Sequence, residues 1–161
     1  MLRRLILEQT LSTKTELLLF LADRAQHVAE LIQPTLDRGT SVICDRFTGS
    51  TLAYQVGARQ LQPEDLIIQM EQFARTALEP DLTIYLDVDP QLGVQRKKNQ
   101  TGHDLNSFDE FDVEFHQAVR DYFLRYVQGK TNWVVVDAGR QLTEVQFDIN
   151  QIITELYGAA S

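Results

Sequence analysis

Residues 82–90 read LTIYLDVDP, and this stretch decides the fold. Its first seven residues form a continuous run rich in strand-forming β-branched and aromatic side chains, which is typical of a strand buried on both faces of a parallel sheet. Asp89 and Pro90 follow, and they suit the N-cap and the first position of a helix. The stretch therefore predicts a buried strand that leads directly into a helix.

Two further apolar runs predict strands: SVIC at residues 41–44 and WVVV at residues 133–136. Helical periodicity lies between and beyond these runs, and Thr13 with Glu16 has the spacing of a capping box at the first helix. The helix after Pro63 is predicted to bury four side chains: Leu66, Met70, Phe73 and Ala77. Strands that alternate with helices favour a doubly wound α/β domain. We expect one domain over residues 1–161, with the polar residues 97–109 as a candidate lid loop.

The composition limits the classes of partner. Of the 161 residues 43% are hydrophobic, which is enough for a core, and the formal net charge of −8 opposes binding to a nucleic-acid polymer. The N-terminal apolar run is too short for a signal peptide or a membrane span, so a cytoplasmic protein with no membrane partner is expected. The single Cys44 is predicted to be a small buried residue, and the three histidines lack metal-ligand spacing.

Asp45 and Arg46 directly follow the predicted strand at residues 41–44. Ligands of doubly wound sheets bind beyond the carboxyl ends of the strands, so this pair lies where a ligand is expected. Arg46 offers a planar fork for phosphate oxygens, and Asp45 can orient it or hold a metal-bound water. The alternative is an internal salt bridge between the two side chains.

Phe20 and Arg24 lie four residues apart, and therefore on one face of the first predicted helix. An aromatic plane beside a guanidinium suits a nucleobase. The alternative is that Phe20 belongs to the core and that Arg24 pairs with Asp23 or another acid. Thr51 and Tyr54 are candidates for one wall of a pocket, with ordinary helix packing as the alternative.

Several blocks of the sequence, in this order, resemble the thymidylate kinase family. They are TELLLFLADRAQHV (15–28), TLDRGTSVICDRFTGSTLAYQ (35–55), the segment at Arg59, PDLTIYLDVDP (80–90) and FHQAVRDYF (115–123). The resemblance extends from Leu2 into the last helix. It implies a P-loop kinase-like fold and the transfer of the γ-phosphoryl group of ATP to dTMP, which gives dTDP and ADP.

The resemblance also implies roles for residues on the acceptor side. Phe20 would stack on the thymine of dTMP, Arg24 would contact the base edge and the phosphate side, and Arg46 would hold the acceptor phosphate. Asp45 would help to organise the Mg²⁺ and phosphate region. The wall that recognises the deoxynucleoside would consist of Thr51, Tyr54 and Gln55.

On the donor side, the resemblance matches Arg96 to a lid-side arginine. Lys97 and Lys98 could supply positive charge near the ATP phosphates, although a lysine lacks the bidentate fork of arginine, and the alternative is that both belong to a solvated helix end. Arg59 matches a motif arginine. The family resemblance further implies ATP and Mg²⁺ as cofactors, dTMP as the partner substrate, and a homodimer.

The sequence departs from the family in two places. The phosphate-binding loop G-x-x-x-x-G-K-[ST] is not found, and the GKT at residues 129–131 follows a predicted helix, so Gly129 is interpreted as a helix C-terminal glycine. The first two strands and the first helix of the fold are expected to be missing, which predicts an N-terminally incomplete domain. In the lid, Ser107 stands where a form of the family has arginine.

The sequence therefore predicts a thymidylate kinase, a nucleoside monophosphate kinase whose catalysis consists of positioning and charge stabilisation. Two alternatives are a noncatalytic nucleotide-binding or partner subunit, which keeps the acceptor pocket without donor binding, and a truncated inactive kinase fragment.

Overall fold

The computed structural model describes residues 11–98 and 112–158. Its helices and strands in chain order are α1 (Thr13–His27), a first π-helical stretch (Val28–Ile32), α2 (Gln33–Asp37), α3 (Thr48–Leu52), a second π-helical stretch (Ala53–Ala58), α4 (Glu64–Ala74), β1 (Thr83–Asp87), α5 (Pro90–Lys98), α6 (Val113–Tyr126), β2 (Trp133–Asp137) and α7 (Leu142–Gly158). Backbone contacts divide the described residues into two compact units, 11–79 with 112–122 and 80–98 with 123–158.

The first unit contains α1, whose N-cap is Ser12 and not the predicted Thr13. The Ser12 hydroxyl accepts a hydrogen bond from the backbone N–H three residues on, at 3.3 Å. Glu16, the predicted capping-box partner, is 6% exposed and accepts side-chain hydrogen bonds from Gln55 and Arg59. The apolar stripe that drives burial of this helix and its π-helical continuation recurs at helical intervals, at Leu17, Leu21, Val28 and Ile32.

Residues 41–44 do not form a strand, which corrects the prediction for SVIC. Ile43 is 95% exposed, and Cys44 is half-buried. A strand needs a hydrogen-bonded neighbour, and within residues 11–98 and 112–158 the only ladder joins β1 to β2. Asp45 and Arg46 therefore follow an irregular segment and precede α3.

The buried face of α4 differs from the predicted one. Phe73 is 87% exposed and Leu66 is 49% exposed, whereas Ile67, Glu71 and Ala74 are buried. Met70 is half-buried and Ala77 lies exposed beyond the end of the helix. The prediction was wrong because it kept a charged residue off the buried face, and Glu71 lies at the centre of that face with no exposed surface.

The second π-helical stretch makes a close approach to α6 within the first unit. A Cβ atom at Gly57 would lie 2.6 Å from the Cβ of Tyr122, which is far inside van der Waals contact. The Tyr122 hydroxyl hydrogen-bonds to the Glu64 carboxylate at 2.6 Å, so the start of α4 is tied to the same helix. Glycine at position 57 thus permits the packing of these three helices.

The second unit is built on the two strands, both of which the sequence predicted. β1 and β2 pair in parallel, with Thr83 opposite Trp133 and Asp87 opposite Asp137. Phe123 stacks on Tyr85, with ring centroids 4.5 Å apart and planes inclined by 17°. This aromatic contact packs the end of α6 on the sheet.

In the second unit, carboxylate side chains accept hydrogen bonds from backbone N–H groups at the starts of two helices, α5 and α7. The Asp89 carboxylate accepts hydrogen bonds from the backbone N–H groups of Gln91 and Leu92, at 2.9 and 3.3 Å, so its prediction as a cap is confirmed. α7 begins at Leu142, and the Glu144 carboxylate accepts a hydrogen bond from the backbone N–H of Gln141, the residue just before the helix. Gly129 follows α6 with φ of +77°, which agrees with its prediction as a helix-terminating glycine.

In residues 11–98 and 112–158 the chain is an α/β protein with a two-stranded parallel sheet and a largely helical remainder. Residues 99–109 of the candidate lid loop, Ser107 among them, lie outside the described residues, as do residues 1–10. Across the ranges that the structure covers, no helix is both long enough and apolar enough to cross a membrane.

Candidate functional site

Arg24 lies at the centre of a cluster of side chains in the first unit. α1 places Phe20 and Arg24 one turn apart, as predicted, and the Arg24 side chain is 12% exposed. Its Nη2 atom donates to the Thr51 hydroxyl at 3.0 Å, and its Nε atom lies 3.2 Å from Oε2 of Glu71. Its Cζ atom lies 4.6 Å from the ring centroid of Phe47. The guanidinium is therefore hydrogen-bonded through Nη2, ion-paired at Nε without a hydrogen bond, and covered on one face by Phe47.

Arg46 and Tyr54 form a second contact in the same unit. The Cζ atom of Arg46 lies 5.2 Å from the Tyr54 ring centroid, within the range of a cation–π interaction. The Tyr54 ring meets Phe115 edge-on, with centroids 5.9 Å apart. The Arg46 side chain is exposed, so a planar cation backed by an aromatic wall is accessible to an anion.

The backbone of Arg46 is in the left-handed region, with φ of +65°. This conformation is uncommon for a residue with a Cβ atom, and such residues are frequent at ligand sites. Asp45 is exposed beside it. The turn at residues 45–46 thus presents both side chains to solvent at the start of α3.

Gln55, a predicted substrate-binding residue, lies in a buried network. It has no exposed surface, and its Nε2 atom donates to Oε1 of Glu16 at 2.6 Å. Arg59 donates to the other oxygen of the same carboxylate at 2.8 Å. The network joins the second π-helical stretch to α1, and it contributes rigidity to the segment that carries Thr51 and Tyr54.

The half-buried Cys44 thiol lies near the same charges. Burial raises the pKa of Cys44, the Arg24 guanidinium lowers that pKa to a smaller extent, and Asp45 raises it further. Its Sγ atom donates a hydrogen bond to the backbone oxygen of Arg46 at 3.4 Å. The prediction of Cys44 as a small buried residue holds only in part, because the side chain is half-buried.

Arg96 belongs to the second unit, where it contacts the loop after β2. Its Nη1 atom donates to the carbonyl of Ala138 at 2.6 Å, and its Nη2 atom donates to the carbonyls of Gly139 and Arg140 at 2.9 and 3.2 Å. Lys97 is the half-buried neighbour of Arg96 in α5. Both predicted donor-side residues thus belong to the second unit, and Arg96 is held there by backbone carbonyls.

A metal centre built by the protein alone needs three or more histidine, cysteine or carboxylate side chains close together. No such group occurs in residues 11–98 and 112–158. Asp45 is a single exposed carboxylate, and that is compatible with Mg²⁺, which is commonly held by one or two carboxylates together with substrate phosphates.

Sequence reasoning missed Phe47 and Glu71 in the Arg24 cluster, and it missed that Glu16 holds Gln55 and Arg59 in the buried network. Two of them are carboxylates at positions where the helical pattern calls for an apolar side chain. A charged residue on a buried stripe must find a cation, because an unpaired buried charge is costly. An acid on such a stripe was therefore the available signal for Glu71 and Glu16, whereas nothing in the pattern set Phe47 apart from core residues.

Comparison with known proteins places these residues in a family. The family model described as thymidylate kinase matches residues 1–149. A thymidylate kinase of Lacticaseibacillus casei (strain BL23) is 39% identical over 149 residues, which are 91% of this chain and 69% of that protein. A thymidylate kinase of Ectopseudomonas mendocina (strain ymp) is 40% identical over 153 residues, 94% of this chain and 71% of that protein. One of Teredinibacter turnerae (strain ATCC 39867 / T7901) is 39% identical over 156 residues, 94% and 75% respectively.

Proposed function

Because this chain belongs to the thymidylate kinase family, we propose that it transfers the γ-phosphoryl group of ATP to dTMP and releases dTDP and ADP. The single observation that carries the proposal is the family match over residues 1–149, which includes every acceptor-side residue considered above. The comparisons favour a phosphotransferase over a noncatalytic subunit or an inactive fragment.

We propose that the acceptor dTMP binds in the first unit. Arg46, exposed and backed by Tyr54, would hold the phosphate, and Phe20 would stack on thymine. Arg24 and Thr51, which are hydrogen-bonded at 3.0 Å, would face the base edge. Gln55 would act on the pocket through its buried network with Glu16. Support comes from the preformed geometry, since groups that are already in place lose little entropy on binding.

On the donor side, we propose that Arg96 contributes a fixed positive charge. Both of its Nη atoms donate to backbone carbonyls, so it is held in place and is less suited to a bidentate phosphate contact. Lys97 would add the positive charge of its ammonium group. Catalysis of phosphoryl transfer depends on such preorganised charge, and no general base has to be assigned.

ATP would serve as the donor together with Mg²⁺, and Asp45 is the proposed carboxylate contact for the metal. When bound, Mg²⁺ neutralises charge on the transferred phosphoryl group and its neighbours. The residues of this chain orient dTMP and hold positive charge near its phosphate, so that the acceptor oxygen is aligned with the donor.

We further propose the wider setting that membership implies. The sheet of β1 and β2 would belong to a doubly wound P-loop kinase fold, and residues 1–161 would form one domain of that type. The protein would act as a homodimer in the cytoplasm. Parallel pairing of the two strands, with helices α5 and α6 between them in the chain, supports this fold.

The test is dTDP formation by the purified 161-residue chain with ATP, Mg²⁺ and dTMP. Arg46→Ala, prepared in the same way, reports any contaminating kinase. Turnover that is lost in the variant supports the proposal. Equal turnover by the chain and the variant, or none by the chain, contradicts it.

A further inference from the structure

Glu71 is a carboxylate with no exposed surface, on the buried face of α4. We infer that Glu71 is a positioning residue for dTMP binding: it fixes the Arg24 guanidinium so that its remaining edge faces the acceptor. The inference rests on the proposed function of the Arg24 cluster, and it adds a residue that neither touches the nucleotide nor was predicted from the sequence.

The first step is the pairing of Glu71. Its Oε2 atom lies 3.2 Å from Nε of Arg24 and accepts a hydrogen bond from the Thr48 hydroxyl at 3.1 Å. A fully buried carboxylate is strongly disfavoured without a cation, so the free energy of burial holds Arg24 beside it. Glu71 therefore links α4, α1 and the start of α3 at one point.

The second step is what this pairing leaves available on Arg24. Glu71 lies at the Nε atom, Thr51 accepts from Nη2, and Phe47 covers a face of the guanidinium. Over the part of the chain that the structure covers, these contacts leave the Nη1 atom of Arg24 without a hydrogen-bond acceptor. The guanidinium is planar, so the hydrogen bond from Nη2 to Thr51, the ion pair of Nε with Glu71 and the Phe47 ring over its face together set the direction of Nη1, although Nε itself makes no hydrogen bond.

The third step concerns charge. In the absence of ligand, Glu71 compensates Arg24, so this arginine adds a directed donor to the pocket with little net positive charge. Arg46 remains the exposed cation for the phosphate. Loss of the Glu71 charge would release Arg24 from its orientation, and we expect this to weaken dTMP binding and leave ATP binding unchanged.

A double-mutant cycle tests the inference, with dTMP affinity measured by calorimetry. We expect Glu71→Gln to weaken dTMP binding about ten-fold in the wild-type background, within the usual range for coupled residues, and less than about two-fold in an Arg24→Ala background. Steady-state kinetics should show a raised KM for dTMP with the KM for ATP unchanged. Glu79→Gln is the matched control, because Glu79 also pairs with an arginine, Arg75, but is 65% exposed, and it should leave dTMP affinity unchanged.

Glu71→Asp keeps the negative charge and replaces Glu71→Gln in the cycle if the glutamine variant does not fold. It should give a smaller loss of dTMP affinity, and this loss should also disappear in the Arg24→Ala background. Equal losses in both backgrounds, or equal rises in KM for both substrates, would mean a general structural role and would overturn the inference alone. Absence of dTMP binding by the wild-type chain would overturn the proposed function and this inference together. Binding that depends on Arg24 but not on Glu71 would overturn only the inference.

Discussion

Arg46 combines an unfavourable backbone conformation with an exposed charged side chain. Its φ of +65° costs free energy for any residue with a Cβ atom, on the order of 1–3 kcal/mol. Glycine would adopt this conformation more easily. At position 46, glycine would therefore favour stability, whereas arginine favours the binding of an anion.

We expect Arg46→Gly to leave the free energy of unfolding unchanged or to raise it by about 1 kcal/mol, since the relief of strain is partly offset by the larger entropy of glycine in the unfolded chain. Urea denaturation measures this. Arg46→Ala removes the same charge and keeps the Cβ atom, so it should be the less stable variant. Both should lose dTMP binding. A glycine variant less stable than the alanine variant would show that the turn is not strained.

Cys44 reports on the charges around it, because it is the single cysteine of the chain. The thiolate is the reactive form, and Arg24 lowers the Cys44 pKa whereas Asp45 raises it. Alkylation by iodoacetamide at a pH of about 8 should therefore slow in Arg24→Gln and accelerate in Asp45→Asn, each by a factor on the order of three, since partly screened charges shift a pKa by a fraction of a unit. Rate changes of the same sign in both variants would contradict the arrangement.

The strands show what the sequence can decide at the level of an element. The runs at residues 82–88 and 133–136 became β1 and β2, and residues 41–44 did not become a strand although their composition is similar. Composition decides whether a segment can be a strand, whereas pairing depends on a partner that is distant in the sequence. The existence of most helices was predictable because the hydrogen bonds of a helix join residues that are close in the sequence.

The site was predictable to a similar extent. Phe20 and Arg24 share one face of α1, as spacing alone required, and Arg24 reaches Thr51. Gln55 was assigned to the wall of the pocket but has no exposed surface, because its side chain is hydrogen-bonded to the buried Glu16. The two residues lie 39 positions apart in the sequence, so the pattern did not indicate that they pair. Long-range polar pairs of this kind leave no periodic signal, and they account for what was missed.

The face of α4 gives a direct test of helix register. Ile67 is 3% exposed and Phe73 is 87% exposed. We expect Ile67→Ala to lower the free energy of unfolding by about 2–5 kcal/mol, because it leaves a cavity, and Phe73→Ala to change it by less than about 0.5 kcal/mol. Urea denaturation of the two variants decides between the observed face and the one predicted from the pattern. A larger loss in Phe73→Ala would restore the predicted face.

For the whole molecule, a ligand that binds only the folded state raises its stability by mass action. At a dTMP concentration of about 100 times Kd, the expected gain is about 2.7 kcal/mol, which corresponds to a rise in Tm of about 5–10 °C for a chain of this size. Differential scanning fluorimetry measures the rise. The Arg46→Ala variant should show none, and free thymine with phosphate should not reproduce it. A rise that persists in the variant would place dTMP elsewhere.

The close approach at Gly57 also restricts the sequences that this fold accepts. Even the smallest side chain would bring a Cβ atom to 2.6 Å from Tyr122, so a library randomised at position 57 should return glycine alone under selection for folded protein. Gly39 and Gly129 have φ of +73° and +77°, and a Cβ atom at either position would meet nothing within 4 Å, so asparagine, which tolerates such a backbone, should be accepted there. Three glycines that look equivalent in the sequence thus differ in how freely they can vary: position 57 is limited by space, and positions 39 and 129 are limited by backbone angle.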